Sequence, residues 1–146
     1  AEKFKDPLIG LFFSPLLRFY TSLAFLSSLS SVSWLMRISL RIKTFINQKS
    51  LKKWASHSPV NHLHKSDLVE AERSRTRGRD KKSLIYYDKS IELARNNGFL
   101  HEEALANELA GRFCLSRDKR SMAVNYLLEA RYLYSKWGNP YFGIPP

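Results

Sequence analysis

The chain has 146 residues, enough for one domain with a real core, and its apolar fraction of 44% is ordinary for a globular protein. Its charge is not ordinary: 24 Lys and Arg against 13 Asp and Glu leave a net charge of +11. The lone Cys114 excludes a disulfide framework and a cysteine metal cluster. It reads as a small core residue in a chain that suits a reducing, cytoplasmic compartment. The charge excess sits early: nine basic residues stand against two acidic over 1–60, nine against six over 61–98, and six against five over 99–146. Such a balance suits nucleic acid, an anionic membrane surface or an acidic partner. No nucleic-acid recognition motif is present, and no aromatic platform interleaves the basic residues, so a nucleic-acid-binding protein is kept only as an alternative. The chain begins at Ala1 rather than Met, which fits a processed chain, an excised piece or a fragment.

Residues 1–50 form an apolar and basic N-terminal segment. Two apolar runs, Leu8–Leu17 and Phe19–Met36, are separated by Arg18. The second is near the length that spans a bilayer, but Ser22, Ser27, Ser28, Ser30, Ser31 and Ser33 dilute it. The expected structure is one or two buried helices with a Ser-rich turn near Ser27–Ser33; membrane association is the alternative. Trp34, Ile38, Ile42, Phe45 and Ile46 then recur at helical spacing, with Arg37, Arg41 and Lys43 elsewhere on the wheel. Two fates are open to this basic amphipathic helix. It packs its apolar side on a neighbouring helix, the expected outcome, or it lies on an anionic membrane surface.

Residues 51–138 read as two helix-turn-helix repeats. Pro59 ends one helix at Ser58, and Asn61 can cap the next. That helix fades near Thr76–Gly78, where Arg73, Arg75, Arg77 and Arg79 either bind phosphate or form a solvated face at the negative helix end. Asp80 opens a helix that stops at Asn96-Asn97-Gly98. Phe99–Leu115 carries Leu105, Leu109 and Phe113 four apart, with Ala106, Ala110 and Cys114 as a small-residue seam beside them. It is read as the central helix, packed on two sides, with Leu109 inward and Glu103 expendable. After Arg117-Asp118, a last helix runs to Gly138, and 139–146 is an irregular tail.

A period of 40 residues relates Ser83 to Ala123, Tyr87 to Leu127, Ser90 to Ala130, Gly98 to Gly138 and Ala71 to Gly111. Helix hairpins with small residues at the crossings follow the logic of tetratricopeptide-like solenoids, whose usual period is about 34. Open ends of such arrays need covers. The N-terminal segment is expected to cap one end.

Catalytic signatures are missing: there is no phosphate loop, dinucleotide fingerprint, kinase motif or nucleophile elbow. His62 and His64 diverge on a helix, as do Glu102 and Glu103, so neither pair makes a metal or acid–base site. No cofactor is expected, and the chain is not expected to be an enzyme.

Three strings carry a family resemblance: WASHSPVNHLHKSDLVEAERSR from Trp54 to Arg75, YYDKSIELARNNGF from Tyr86 to Phe99, and EEALANELAGRFCL from Glu102 to Leu115. Together they resemble the helical, tetratricopeptide-like region of the large cyanobacterial-type multi-sensor signalling kinases. In that family the region lies between an AAA-type ATPase domain, preceded by a serine/threonine kinase domain, and a GAF domain with a histidine kinase. The resemblance covers about residues 19–138. The family carries its catalysis elsewhere, so no active-site residue transfers. Trp54, His57, Pro59, Asn61, His64, Lys65, Glu70 and Glu72 match its pattern. Their implied job is the helix junction, with Asn61 as cap and His64 and Lys65 as polar partners of a neighbouring helix. The chain departs from the family at Arg117-Asp118, at Ser27–Arg37 and after Gly138, as a truncated or decayed relative, an isolated piece or a stand-alone adaptor would.

The expected fold is all-α: a right-handed, tetratricopeptide-like array of about six helices in antiparallel hairpins. The expected function is a non-catalytic scaffold that binds a signalling protein or other domains of a sensor kinase. Tyr86, Tyr87, Tyr126, Tyr132 and Tyr134 are candidate partner contacts.

Overall fold

The computed structural model describes residues 7–138, with side chains from residue 14 onward. The charged residues before Pro7 and the tail expected over 139–146 lie outside the described residues. The described residues form six helices and no strand: α1 (Pro7–Ser28), α2 (Trp34–His57), α3 (Pro59–Arg75), α4 (Asp80–Asn96), α5 (Leu100–Ser116) and α6 (Arg120–Gly138). The all-α expectation therefore holds. Helix α1 runs through Arg18, so the two apolar runs begin as one helix, and the Ser-rich turn follows it. Helix α2 crosses the boundary drawn at residue 50.

Each helix packs on the next, and the pairing is antiparallel. Between α3 and α4, Ser83 Oγ donates to the Ala71 carbonyl and Ser90 Oγ to that of His64, so the later residue of one helix meets the earlier residue of the other. Asn47 of α2 accepts from Arg18 and donates to Thr21, both on α1.

The centre of the array is α3, not α5. Helix α3 touches α1, α2, α4 and α5, and its buried residues run from His64 to Ser74. Helix α5 does pack between α4 and α6, as expected. Its small seam is fully buried, as is Phe113, whereas Leu105 and Leu109 are half-buried against the core. The closest approach falls on that side. A Cβ added to Gly111 would stand 2.6 Å from Leu127 Cγ and 3.3 Å from the Ala123 carbonyl. Ala71 meets Ser83 at the equivalent place in the preceding hairpin.

Asn61 does not cap α3. Ser58 occupies the N-cap position, and Pro59 starts the helix, where its missing N–H has no partner to lose. Asn61 lies in the first turn and donates its side-chain amide to Ser58 Oγ.

The repeat is written most clearly in the turns. After α3, the Arg79 amide donates to the Ser74 carbonyl; after α4, Phe99 donates to Ala94; after α5, Lys119 donates to Cys114. Each is the same six-residue closure around one left-handed residue: Gly78 (φ 69°), Gly98 (φ 78°) and Asp118 (φ 56°). The turns recur every 20 residues, half the period read from the sequence. Only Asp118 takes this conformation with a Cβ, and its bond to Arg120 is solvent-exposed. Asp118→Gly should therefore raise stability by about 0.5–1 kcal/mol, and Gly98→Ala should lower it by about 1 kcal/mol, in urea denaturation. A loss of stability in Asp118→Gly would refute the left-handed turn.

Candidate functional site

Helix α3 is surrounded on several sides and carries ionisable residues, so its charges need partners inside the array. Glu70 and Glu72 diverge, as their spacing requires. Glu70 accepts from Arg73 at 2.8 Å, from Lys82 of α4 at 3.2 Å and from Gln48 of α2 at 3.4 Å, with Lys52 of α2 at 3.8 Å. Burial works against the Glu70 carboxylate, but Arg73, Lys82 and Lys52 overcome it and hold its pKa below the usual range. Glu72 accepts from Arg75 at 2.8 Å and from the buried Tyr87 hydroxyl of α4. Arg73 and Arg75 are thus engaged with carboxylates and do not form a phosphate cluster with Arg77 and Arg79.

The start of α3 faces α5 and α1. Lys65 is buried; its Nζ donates to the Asn61 carbonyl at 2.9 Å and to His64 Nε2 at 3.2 Å, and it pairs with Glu102 of α5 at 3.5 Å. The Phe99 ring lies 4.5 Å from Lys65 Nζ and 4.4 Å from the His64 ring. Burial lowers the Lys65 pKa, and Glu102 opposes that shift. His64 and Lys65 thus lie against the start of α5. Beside them lies an open cleft of about 450 Å³, lined by Pro15, Leu16, Ser58, Asn61, His62, Lys65 and Phe99. Tyr20 of α1 and His101 of α5 share a hydrogen bond of 3.1 Å, and the His101 ring lies 4.5 Å from that of Trp137 of α6, tilted against it by 47°. Glu103, read as expendable, is buried and accepts from Arg95 of α4 at 2.8 Å. Trp54 packs against the core under the Arg18 guanidinium, and His57 ends α2 in solvent.

The tyrosines do not form one contact surface. Tyr87 is fully buried and is withdrawn as a partner contact. Tyr126 and Tyr134 are half-buried and donate to Asp88 at 2.5 Å and Glu108 at 2.8 Å. Tyr86 lies between Lys82 and Lys89, and Tyr132 faces outward on α6.

The largest departure from expectation is α2. Its buried face is Leu40, Thr44, Gln48, Leu51 and Ala55, where Gln48 reaches the Ser66 carbonyl at 2.9 Å. The more apolar stripe faces away from the core: Trp34 is 68% exposed, Ile42 55% and Phe45 50%, with Leu35, Ile38 and Ile46 alongside. The stripe was expected to pack on a neighbour; it does not, because polar Gln48 and Thr44 occupy the side facing α1 and α3. The α5–α6 end carries a second exposed set: Leu115, Met122, Val124, Leu128, Tyr132 and Trp137.

Among the described residues no three His, Cys, Asp or Glu side chains converge as a metal site, and no helix is long and apolar enough to cross a membrane. No family model, curated protein or solved structure matches the chain.

Two outcomes test the polar centre. Glu72→Ala leaves Tyr87 and Arg75 without their acceptor and should cost about 3 kcal/mol in urea denaturation; a loss under about 1 kcal/mol would remove Glu72 as an anchor. The second outcome concerns pH. Burial, then the Lys65 and His62 charges, lower the His64 pKa from 6.5 to about 3. The unfolded chain therefore takes up the proton first, and stability falls as pH drops below about 6.5. Asp67 acts oppositely: burial raises its pKa from 3.8 to about 6, so its protonation adds stability as pH falls through that value. Between pH 7.5 and 5, His64→Gln should lose less stability than the parent by about 1–2 kcal/mol. Equal losses would mean that His64 titrates freely.

Proposed function

We propose that the chain is a non-catalytic helical-repeat scaffold: a tetratricopeptide-like protein-interaction module, similar to the helical linker of multidomain sensor kinases and working in cytoplasmic signal transduction. One observation carries this reading. Buried ionisable side chains join helix to helix, while most of the large exposed apolar side chains lie on α1, α2 and α6. Lys65, Glu70, Glu72, Tyr87 and Glu103 all bridge helices. The hairpin period of 40 residues, with its matched crossings at Ala71 and Gly111, supports the repeat reading.

The α5–α6 end is the docking edge in this proposal. Val124, Leu128 and Tyr132 stand four apart along the outer side of α6, and α6 packs chiefly along α5. A helical signalling protein would lie against them. A photo-crosslinker at Leu128 in the source cell should capture one protein bearing kinase, ATPase or GAF sequence, and adding Val124→Asp should abolish the adduct. Adducts at Leu128 no different from those at exposed Lys81 of α4 would overturn the reading.

A further inference from the structure

The outward stripe of α2 is separate from that edge and has its own charge pattern. The sequence contains no Asp or Glu from Pro7 to Ser66. Helix α2 itself carries Arg37, Arg41, Lys43, Lys49, Lys52 and Lys53. At 100° per residue, Trp34, Leu35, Ile38, Ile42, Phe45 and Ile46 share one side of the cylinder, away from the buried Leu40–Gln48–Leu51 side. Arg41 lies at one edge of that stripe and Lys43 at the other, and Lys49 and Lys53 continue it at the C-terminal end. Lys43 and Lys53 make no ion pair among the described residues. At the Arg41 edge the cations crowd. Arg41 reaches the Thr76 carbonyl at 3.3 Å, and the Arg77 guanidinium is lowered by burial and then by Arg73, Arg41 and Arg79.

We infer that α2 docks the array flat on an anionic lipid surface, its Trp34–Ile46 stripe entering the acyl boundary and its flanking Arg and Lys meeting lipid phosphates. Three observations favour lipid as the occupant of the stripe. Its members are chiefly aliphatic, which suits hydrocarbon rather than base stacking. Cations border it on both edges and at one end, and no carboxylate from Pro7 to Ser66 repels a uniformly negative plane. The Trp34 ring, at the N-terminal end of the stripe, has the amphipathic character that prefers the headgroup level.

The test is vesicle co-sedimentation of the full chain at about 0.1 M salt. Vesicles of phosphatidylcholine with about one third phosphatidylglycerol are compared with phosphatidylcholine alone. The parent should bind the anionic vesicles and bind the neutral ones far more weakly. Leu35→Asp with Ile42→Asp should cut binding at least tenfold without lowering the melting temperature, because both side chains are more than half exposed. Lys43→Gln and Lys53→Gln should each cut it about fivefold. Val124→Asp with Leu128→Asp on α6 should leave it unchanged. The inference fails if the anionic vesicles are not bound, or if the α2 variants bind like the parent, which would leave net charge as the whole attraction. It fails equally if sedimentation shows that the α2 variants dissolve a dimer, which would give the stripe to a second copy of the chain.

Discussion

Burying charge on α3 is the constraint on which the rest of this structure depends. Lys65, Glu70 and Glu72 are each under 10% exposed, and an unpaired buried charge costs several kcal/mol. Their partners come from three other helices: Gln48 and Lys52 from α2, Lys82 and Tyr87 from α4, and Glu102 from α5. Apolar side chains such as Leu68 and Val69 would accept a neighbour displaced by a turn at modest cost. Glu72 would not, because a displaced α4 takes the Tyr87 hydroxyl with it. Charge pairing therefore sets the register of α2, α4 and α5 against α3, and apolar burial supplies the attraction.

Small residues make that pairing possible. Ser83 lies against Ala71, and Leu127 against Gly111, so the backbones come close enough for short side chains to reach carbonyls. The shared turn then fixes how each helix leaves the last. With the same six-residue closure at Gly78, Gly98 and Asp118, the three reversals from α3 to α6 share one geometry, which the α1–α2 and α2–α3 connections do not. The 40-residue period is the sequence trace of two such reversals.

Much of this was legible in the sequence. Helix number, the Ser-rich turn and the stops at Gly78 and Gly98 follow from periodicity and turn chemistry. The centrality of α3 was hidden because its interior positions are polar: His64, Lys65, Ser66, Glu70, Glu72 and Ser74 look like a solvated face until their partners, up to 37 positions away in Glu102, are known. Helix α5 looked central because Ala106 and Ala110 advertise close packing, and they do pack closely, against helices nearer one end of the array. Asn61 has the residue type of a cap, but Pro59 sets the helix start two residues earlier.

The reading of α2 failed for a reason that carries its own information. Two stripes share this helix at helical spacing, and hydrophobicity alone picks the wrong one as interior. What places Leu40, Thr44, Gln48 and Leu51 inside is the amide of Gln48, the group on α2 that reaches the Ser66 carbonyl and Glu70. Turning α2 over would bury Ile42 and Phe45 but leave the buried Glu70 one donor short. It would also carry Lys49 toward the core. The polar contact wins, and the apolar side is held outward by the same charge-centred packing that orders α3. Large exposed apolar faces on one helix mark interaction surfaces. Here the fold itself enforces the exposure, so covering the stripe requires something from outside the array and not a rearrangement within it.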